Sequence, residues 1–192
     1  MSILQKTQYL ILDIDHTLIH CMLQNDVPSN ANITNSAMVV CKYEVEYSEL
    51  KQSTEEICAV NIFIRPGLFE FLDWCNQNFI IIIYSAGLPV YIDMILKYFI
   101  SILPNLEIHD IYSRNDLVPY QLNNQMIFVK SIMAIPYLSG LGDNYVIIDD
   151  IVYHYPYSQE KRILISEWQY DMEDDCQLEL VTKVLATLLH LE

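Results

Sequence analysis

The sequence predicts an α/β domain with a central parallel sheet, and two observations lead to that fold class. Four short runs are apolar at every position, as strands buried on both faces of a parallel sheet require. These runs cover residues 9–12, 79–84, 145–148 and 163–165. Segments with apolar residues at helical spacing alternate with them, at residues 67–77, 90–99 and 177–191. Such alternation is typical of a parallel sheet with helices on both faces.

The first helix has the clearest local signature. Leu68, Phe71, Leu72 and Cys75 share one face, and Pro66 precedes them at a place where proline favours the first turn of a helix. The segment at residues 90–99 follows the second strand, and the segment at residues 177–191 ends the chain. We therefore expect three helices that each bury one apolar face.

Two stretches interrupt the alternation. Residues 25–35 are rich in Asn, Ser and Pro and predict a loop, and residues 38–47 and 57–64 predict an antiparallel pair joined through residues 48–56. This pair forms a β-hairpin excursion after the first strand. Residues 103–128 lack a strong period, which predicts short strands and turns that cover one end of the sheet. Nothing in the sequence predicts a large cap.

Length and charge limit the classes of function. A chain of 192 residues is about the length of one domain, so we expect a single domain over residues 1–192. Its net charge of −15 provides no basic surface for a nucleic-acid backbone, so direct nucleic-acid binding is not expected. Five cysteines, an odd number without metal-binding spacing, are typical of reduced intracellular thiols.

No segment of the sequence predicts secretion or membrane insertion. The first eight residues are polar, and the longest apolar run is far shorter than the ~20 residues that span a bilayer. We therefore expect an intracellular protein, in the nucleus or the cytoplasm, that neither spans a membrane nor binds one. The sequence leaves its oligomeric state open.

The first strand ends in two carboxylates at alternate positions, Asp13 and Asp15, and Thr17 follows them. Side chains two residues apart on an extended chain point to the same side, so both acids face outward together at the carboxyl end of the strand. Ligands of open α/β sheets bind at that end. Two close carboxylates repel each other, and a hard cation such as Mg²⁺ relieves the repulsion. Taken alone, this pair also fits a solvated turn.

Three other segments favour a phosphate site over a solvated turn. Ser85 follows the second apolar run and provides a hydroxyl beside backbone N–H groups. Asp149 and Asp150 end the run that begins at residue 145, and Lys130 follows residues 126–129 and supplies a positive charge. Four strand ends that carry two acids, a hydroxyl, a lysine and two acids predict a site for a metal ion and a phosphoryl group.

The order of these motifs resembles that of a known family. DIDHT at residues 13–17, YSAG at 84–87, a single lysine at 130 and IIDD at 147–150 are similar to the four motifs of haloacid-dehalogenase-like phosphatases. Further segments resemble the FCP/SCP branch, also called NLI-interacting-factor-like, which contains phosphatases of the RNA polymerase II carboxy-terminal domain. These segments are IRPG at 64–67, SAGLPVY at 85–91, YSR at 112–114 and FVK at 128–130.

The resemblance implies a Rossmann-like haloacid-dehalogenase fold and a role for each matching residue. Asp13 would be the nucleophile that forms an aspartyl-phosphate, and Asp15 would be the general acid and base. Ser85 and Lys130 would stabilise the phosphoryl oxygens, and Thr17 would orient the nucleophile loop.

The resemblance also implies a metal site and substrate contacts. Mg²⁺ would be held by Asp13, Asp150 and the backbone carbonyl of Asp15, with Asp149 close to the ion. Three further residues match positions that face the substrate in the family: Arg114, and Tyr91 and Leu88 of an apolar pocket for a proline next to the phosphoserine. An aromatic and a leucine at the start of a helix equally fit ordinary core packing.

The resemblance implies a protein serine/threonine phosphatase whose partner is a phosphorylated polypeptide such as the polymerase tail. Two alternatives remain open on the sequence. One is a phosphatase of nucleic-acid ends or small phosphoesters, because the same motifs hydrolyse many monoesters. The other is a binding protein of the same fold that does no catalysis.

Overall fold

The computed structural model describes residues 6–29, 36–47, 52–172 and 174–189. Three short 3₁₀ turns accompany the helices and strands, at Gln24–Asp26, Arg114–Asp116 and Gln159–Lys161. The strands are β1 (Tyr9–Leu12), β2 (Ile19–Leu23), β3 (Ser36–Tyr47), β4 (Gln52–Ile64), β5 (Ile80–Tyr84), β6 (Ile108–Tyr112), β7 (Val118–Leu122), β8 (Gln125–Val129), β9 (Tyr145–Asp149) and β10 (Arg162–Leu164). The helices are α1 (Leu68–Asn78), α2 (Pro89–Ile102), α3 (Pro136–Ser139) and α4 (Gln177–Leu188).

The central sheet has five parallel strands in the order β10-β9-β1-β5-β6. The predicted α/β class is therefore confirmed, and all four apolar runs form strands of this sheet. In the register of the sheet, Leu10 of β1 pairs with Ile81 of β5 on one side and with Val146 of β9 on the other. Strand β6 was not predicted as part of the sheet. It lies at the edge, where only one neighbour pairs with it, so its residues alternate between half-buried and exposed and lack an all-apolar pattern.

Both faces of the sheet are covered, but unequally. Helices α1, α2 and α4 pack in one apolar cluster with one face of β1, β5 and β9, whereas the short helix α3 and the segment around Tyr155 cover the other face. Parallel crossovers are right-handed, which explains the arrangement. The chain moves outward from β1 to β5 and β6, which places α1 and α2 on the same face, and then returns past β1 to β9, which places α3 on the opposite face.

The return of the chain from β6 past β1 to β9 creates the place where a ligand is expected to bind. The strand order reverses between β1 and β9, and such a switch point opens a crevice at the carboxyl ends of the strands. Asp13 follows β1 directly, Asp149 ends β9, and Asp150 comes next. The topology therefore brings the two acidic motifs together, although well over a hundred residues separate them along the chain.

The excursion after the first strand is a three-stranded antiparallel sheet in the order β2-β4-β3. The predicted hairpin is confirmed as β3 and β4, but its second strand begins at Gln52 rather than at residue 57. Polar residues at 52–56 have no strand signature, yet the antiparallel ladder continues through them. Residues 30–35 of the predicted loop and residues 48–51 of the predicted connection lie outside the described residues.

Strands β7 and β8 form a separate two-stranded hairpin. Its turn is Asn123-Asn124, whose positive φ angles of 49° and 64° suit a tight turn between antiparallel strands. Within the described ranges, no larger cap covers the carboxyl edge of the central sheet, as the sequence predicted. None of the helices in these ranges is long and apolar enough to cross a membrane.

Candidate active site

The centre of the site is a buried lysine between two buried carboxylates. The Nζ atom of Lys130 donates a hydrogen bond to Oδ1 of Asp13 and lies 2.6 Å from Oδ2 of Asp149. Neither the lysine nor Asp149 has any exposed surface. His154 is also buried, and its Nδ1 lies 3.2 Å from both oxygens of Asp149, whose Oδ1 accepts from the backbone N–H of Ile151 at 2.8 Å.

The carboxylates that share this lysine differ in pKa. Burial raises the pKa of Asp13 well above the ordinary range, although Lys130 opposes the change. Burial acts on Asp149 too, but Lys130 and His154 outweigh it and lower the pKa of Asp149 to about 2. Burial alone would lower the pKa of Lys130, yet its two carboxylate partners raise it above the ordinary value. The lysine therefore carries its charge at neutral pH.

Asp150 joins this cluster through Thr17. The buried Thr17 hydroxyl lies 3.3 Å from Oδ2 of Asp13 and 3.2 Å from Oδ1 of Asp150, so its single proton can be given to either. Burial, followed by the charge of Asp149, raises the pKa of Asp150.

The cluster fits a hard divalent cation. Asp13, Asp149 and Asp150 each offer an oxygen, and these oxygens lie within 4.8 Å of one another. Lys130 places one positive charge against three carboxylates, which leaves an excess of two negative charges when all three are ionised. Mg²⁺ prefers oxygen ligands and one or two carboxylates, with remaining positions for water and phosphate. The donor set and its charge therefore suit Mg²⁺.

Asp15 stands beside this cluster at the mouth of a groove. Its Oδ1 accepts a hydrogen bond from the hydroxyl of Tyr91, and burial raises the pKa of its carboxyl group. Burial and the nearby Asp15 raise the pKa of Tyr91 as well, so the phenol stays protonated. The resemblance implied that Tyr91 belongs to an apolar pocket; in the structure its ring lines the groove and its hydroxyl contacts the Asp15 carboxylate.

Ser85 is buried at the end of β5. Its Oγ accepts a hydrogen bond from the N–H of Gly87 at 2.9 Å, and the described contacts do not join it directly to the carboxylates. Gly87 is required for packing, because a Cβ at that position would lie 2.7 Å from Cδ1 of Tyr91 and 3.2 Å from Oγ of Ser85. The turn from Ser85 to Gly87 thus holds both the hydroxyl and the Tyr91 ring.

A groove of about 460 Å³ opens beside Asp15. Its lining is mostly apolar. It comes from β2, β4 and the start of α2, which includes Tyr91, together with Leu88 and Arg114. The Nε of Arg114 donates to the carbonyl of Ala86 at 2.8 Å, which leaves the guanidinium at the rim. Leu88, Tyr91 and Arg114 therefore lie together at the groove, and their contact with a substrate stays a prediction.

Lys130 reaches the site by a route that the sequence did not predict. Residues 126–129 were interpreted as one of four similar strands, but β8 belongs to the separate hairpin and not to the central sheet. The hairpin ends at Val129, and Lys130 then enters the core, where its carbonyl accepts from the N–H of Tyr155 at 3.1 Å. A short strand of five residues carries no information about which sheet it joins.

Arg65 fixes the loop that follows Asp13, a role that was not predicted from the sequence. Its guanidinium is fully buried and bidentate to Asp175, with Nε–Oδ1 at 2.9 Å and Nη2–Oδ2 at 2.8 Å. The same group donates to the carbonyls of His16 at 3.3 Å, Thr17 at 2.9 Å and Ser166 at 3.0 Å. Its only signal in the sequence was its position before Pro-Gly in the IRPG segment.

His154 was also missed as part of the site. It is the fifth residue after Asp149, and the sequence around it offers no ligand spacing or motif that would single it out. The loop from Ile151 to Tyr155 turns back on itself, so that the imidazole of His154 contacts the carboxylate of Asp149.

A parallel α/β sheet with acids at the ends of β1 and β9, a hydroxyl after β5 and a buried lysine beside them has the arrangement expected for a haloacid-dehalogenase-like phosphatase. A family model described as "NLI interacting factor-like phosphatase" matches residues 8–192. The chain belongs to that family.

Individual relatives agree with this assignment. The chain is 24% identical over 175 residues to phosphatase PSR1 of Saccharomyces cerevisiae, an alignment that covers 90% of this chain and 34% of that protein. It is 26% identical over 181 residues to an uncharacterized protein of Schizosaccharomyces pombe, covering 90% of this chain and 45% of the other.

Solved structures share the fold. The structure of a variant of the fission yeast RNA polymerase II CTD phosphatase Fcp1, bound to beryllium fluoride, superposes with a TM-score of 0.58 at 20% identity and covers 96% of this chain and 51% of that one. A second structure of Fcp1, described as an essential RNA polymerase II CTD phosphatase, gives the same TM-score of 0.58 and covers 95% and 49%. The chain thus spans about half the length, or less, of these relatives.

Proposed function

We propose that the chain is a Mg²⁺-dependent phosphatase of phosphoserine and phosphothreonine in polypeptides, acting through an aspartyl-phosphate on Asp13. One observation carries the proposal. The Asp13 carboxylate is held between the Lys130 ammonium and the Thr17 hydroxyl, at the carboxyl edge of the sheet and within 4.8 Å of Asp149 and Asp150.

The reaction has two displacements at phosphorus. In the first, the Asp13 carboxylate attacks phosphorus, the bond from phosphorus to the seryl or threonyl oxygen breaks, and Asp15 gives that oxygen its proton. In the second, water attacks phosphorus, Asp15 takes a proton from it, and the bond to Asp13 breaks to release phosphate. The raised pKa of Asp15 supports its role, because a donor must hold its proton near neutral pH.

The remaining polar groups stabilise and orient the reacting atoms. Lys130 and the Ser85 hydroxyl stabilise the equatorial phosphoryl oxygens, on which negative charge is spread during transfer. Thr17 orients Asp13 by hydrogen bonding to its Oδ2. Asp149, supported by His154 and Ile151, fixes the position of Lys130.

Mg²⁺ would be held by Asp13, Asp150 and the backbone carbonyl of Asp15, with Asp149 close by. When bound, the ion neutralises negative charge on the phosphoryl group and on the surrounding carboxylates. The excess of carboxylates over cations in this cluster supports such an ion.

The open, largely apolar groove supports a polypeptide substrate. Leu88 and the ring of Tyr91 would contact an apolar residue, such as proline, next to the phosphorylated residue, and Arg114 would contact its polar flank. Fcp1 is described as an RNA polymerase II CTD phosphatase, and we propose the same substrate class for this chain, a phosphorylated polymerase tail. An acidic protein needs local positive charge to receive such a substrate, and Lys130, Arg114 and Mg²⁺ supply it.

Phosphate release tests this function directly. The substrates are polymerase-tail phosphopeptides, oligonucleotides with 3′- or 5′-phosphates, and p-nitrophenyl phosphate, each with Mg²⁺ and with a chelator, and the control variant is Asp13→Asn. We expect peptides to be preferred, and both the chelator and the variant to abolish turnover. Preference for an oligonucleotide or for the small ester would contradict the proposed substrate. Release from no substrate, together with equal peptide binding by wild type and variant, would indicate a binding protein.

A further inference from the structure

The β7–β8 hairpin presents an apolar face that the fold leaves uncovered. Phe128 is 62% exposed and Met126 is 66% exposed, and both point to the same side of β8 because they are two residues apart. Pro119 is paired with Phe128 across the hairpin, so it lies on that side as well, and it is exposed. We call Pro119, Met126 and Phe128 the hairpin face.

The opposite side of the same hairpin is packed against the molecule. The Tyr120 ring meets the Tyr157 ring edge to face, with centroids 6.1 Å apart, and Ile127 beside it is half-buried. The last residue of β8, Val129, is completely buried. The two sides of the hairpin therefore differ in burial, and Val129 anchors the end of β8 in the core.

The base of the hairpin is built into the active site. Tyr84, the last residue of β5, donates its hydroxyl to the carbonyl of Asp116 at 2.7 Å, just before β7 begins. The same hydroxyl accepts from the N–H of Ser131 at 3.4 Å, just after β8 ends. Arg114, just before the first anchor, lines the groove, and Lys130, between the two anchors, contacts Asp13. The residues at the base of the hairpin therefore reach both the groove and the carboxylate cluster.

The hairpin and its flanks expose little charge. From residue 117 to residue 142 the sequence contains one charged side chain, that of Lys130, which is completely buried, whereas the whole chain has a net charge of −15. A stretch without exposed charge repels an anionic peptide less than an acidic surface does. The same net charge disfavours a second copy of the chain as the partner, because two such molecules repel each other.

We propose that the hairpin face binds the polypeptide flank of the phosphorylated substrate, as a second contact in addition to the groove. The inference rests on the proposed function and names the surface that would recognise the peptide at that site. Phe128 and Met126 would pack against apolar side chains of the peptide, and aromatic residues at such positions commonly dominate binding. The unpaired outer edges of β7 and β8 would allow an extended peptide to add backbone hydrogen bonds.

The test compares binding with catalysis in a surface variant. The double variant Met126→Ser/Phe128→Ser removes the apolar contacts without touching a catalytic group. The matched control is Leu180→Ser/Leu188→Ser, which changes two apolar residues of α4 that are 46% and 49% exposed. Substrates are p-nitrophenyl phosphate, a long polymerase-tail phosphopeptide, and the same peptide shortened on each side by about five residues, the length of a hairpin strand.

We expect the hairpin variant to raise KM for the long peptide about ten-fold. Its KM for the shortened peptide and its turnover of the small ester stay at the wild-type values, and the α4 control matches wild type on all substrates. An unchanged KM for the long peptide, or an equal rise for the shortened peptide, would overturn the proposal. A rise accompanied by a changed oligomeric state in gel filtration would also overturn it, because the face would then join two copies.

Peptide binding to the Asp13→Asn protein separates this inference from the function on which it rests. Fluorescence anisotropy with the long phosphopeptide reports binding without turnover. If that protein fails to bind the peptide at all, the proposed function is wrong and the hairpin proposal is wrong with it. If it binds, and adding the two hairpin substitutions leaves the affinity unchanged, only the hairpin proposal is wrong.

Discussion

Lys130 and Arg65 are both completely buried cations that contact the DIDHT segment at residues 13–17, but their partners are different. Lys130 contacts the side-chain carboxylates of Asp13 and Asp149. Arg65 contacts one carboxylate, that of Asp175, and otherwise binds three backbone carbonyls. A lysine is a compact point charge that can turn toward a new anion, whereas the planar arginine fork holds several fixed acceptors at once.

In the proposed mechanism, Lys130 takes part in the chemistry, whereas Arg65 holds a loop. The partners of Lys130 are the groups that would meet the phosphoryl group and the metal ion. The partners of Arg65 join the turn after Asp15 to the segments that precede α4, since Asp175 also accepts from the N–H of Gln177 at the start of that helix. Loss of either cation leaves a buried carboxylate without its partner and should lower stability, but only loss of Lys130 should also lower turnover by the folded protein.

Replacement of the lysine has the largest expected effect. Lys130→Met removes the charge that stabilises the phosphoryl oxygens, so turnover falls by about 10³-fold, in line with the loss of one such donor elsewhere. Lys130→Arg does not restore it, because the larger fork does not fit between two carboxylates. Phosphate release measures the effect, and circular dichroism checks that each variant is folded. Turnover within about three-fold of wild type would contradict the chemical role of the lysine.

Replacement of Arg65 tests its contribution to the stability of the fold. Arg65→Ala removes the buried cation that pairs with Asp175 and one hydrogen bond from each of three carbonyls, and we expect a loss of about 4 kcal/mol in the free energy of unfolding. Arg65→Lys keeps the charge but loses the fork, so it recovers less than half of that stability. Urea unfolding provides the measurement. Full stability in Arg65→Lys would show that charge alone, and not the fork, holds the loop.

The pH dependence of stability tests whether Asp149, a partner of Lys130, has a lowered pKa in the folded protein. The pKa of Asp149 is about 2 in the folded protein, below the ordinary value of about 3.9. A lowered carboxyl pKa stabilises the fold above the unfolded pKa, and that contribution, on the order of 2 kcal/mol, is lost as pH falls from about 4 to about 2. Urea unfolding in a chelator at several pH values measures it. Asp149→Asn should remove this part of the pH dependence, and an unchanged profile would contradict the assignment.

The raised pKa of Asp13 makes stability depend on pH in the direction opposite to that of Asp149. The metal-free fold therefore loses stability as pH rises above the ordinary carboxyl range. Mg²⁺ should restore part of that stability at neutral pH, since a ligand of the folded state alone raises the free energy of unfolding.

The smallest effects are expected from Tyr91 and Leu88, which share the groove. Tyr91 contacts a reacting carboxylate, as Lys130 does, so Tyr91→Phe should lower kcat about ten-fold with little change in KM. Leu88→Ala removes apolar contact area and should raise KM for the phosphopeptide a few-fold without changing kcat. Steady-state kinetics separates the two. Equal effects on KM in both variants would show that Tyr91 acts only as part of the pocket wall.

Much of the fold was predictable because buried parallel strands have an unmistakable composition. Strands β1, β5 and β9 are apolar throughout, and the helices α1, α2 and α4 have clear spacing. Strand β2 was missed, and β6 was predicted only as one of the short strands within residues 103–128, because each is short and partly exposed and leaves no periodic signal.

The candidate site was predictable where function requires a residue type at a strand end. Asp13, Asp149, Asp150 and Lys130 were chosen from such positions, and the structure brings them together. Arg65 and His154 were missed because their importance comes only from what they contact. No spacing along the chain announces a partner that lies 110 residues away, as Asp175 does from Arg65.

The sequence by itself determined the fold class, the acids and the lysine of the site, because hydrophobic pattern and residue chemistry are local properties of the chain. Only the tertiary structure decided which groups share Lys130, that the hydroxyl of Tyr91 lies on Asp15, and that the hairpin leaves Phe128 exposed. Pairing, burial and pKa depend on neighbours that the fold brings from distant segments. The low dielectric constant of the interior then sets how strongly the charged groups interact.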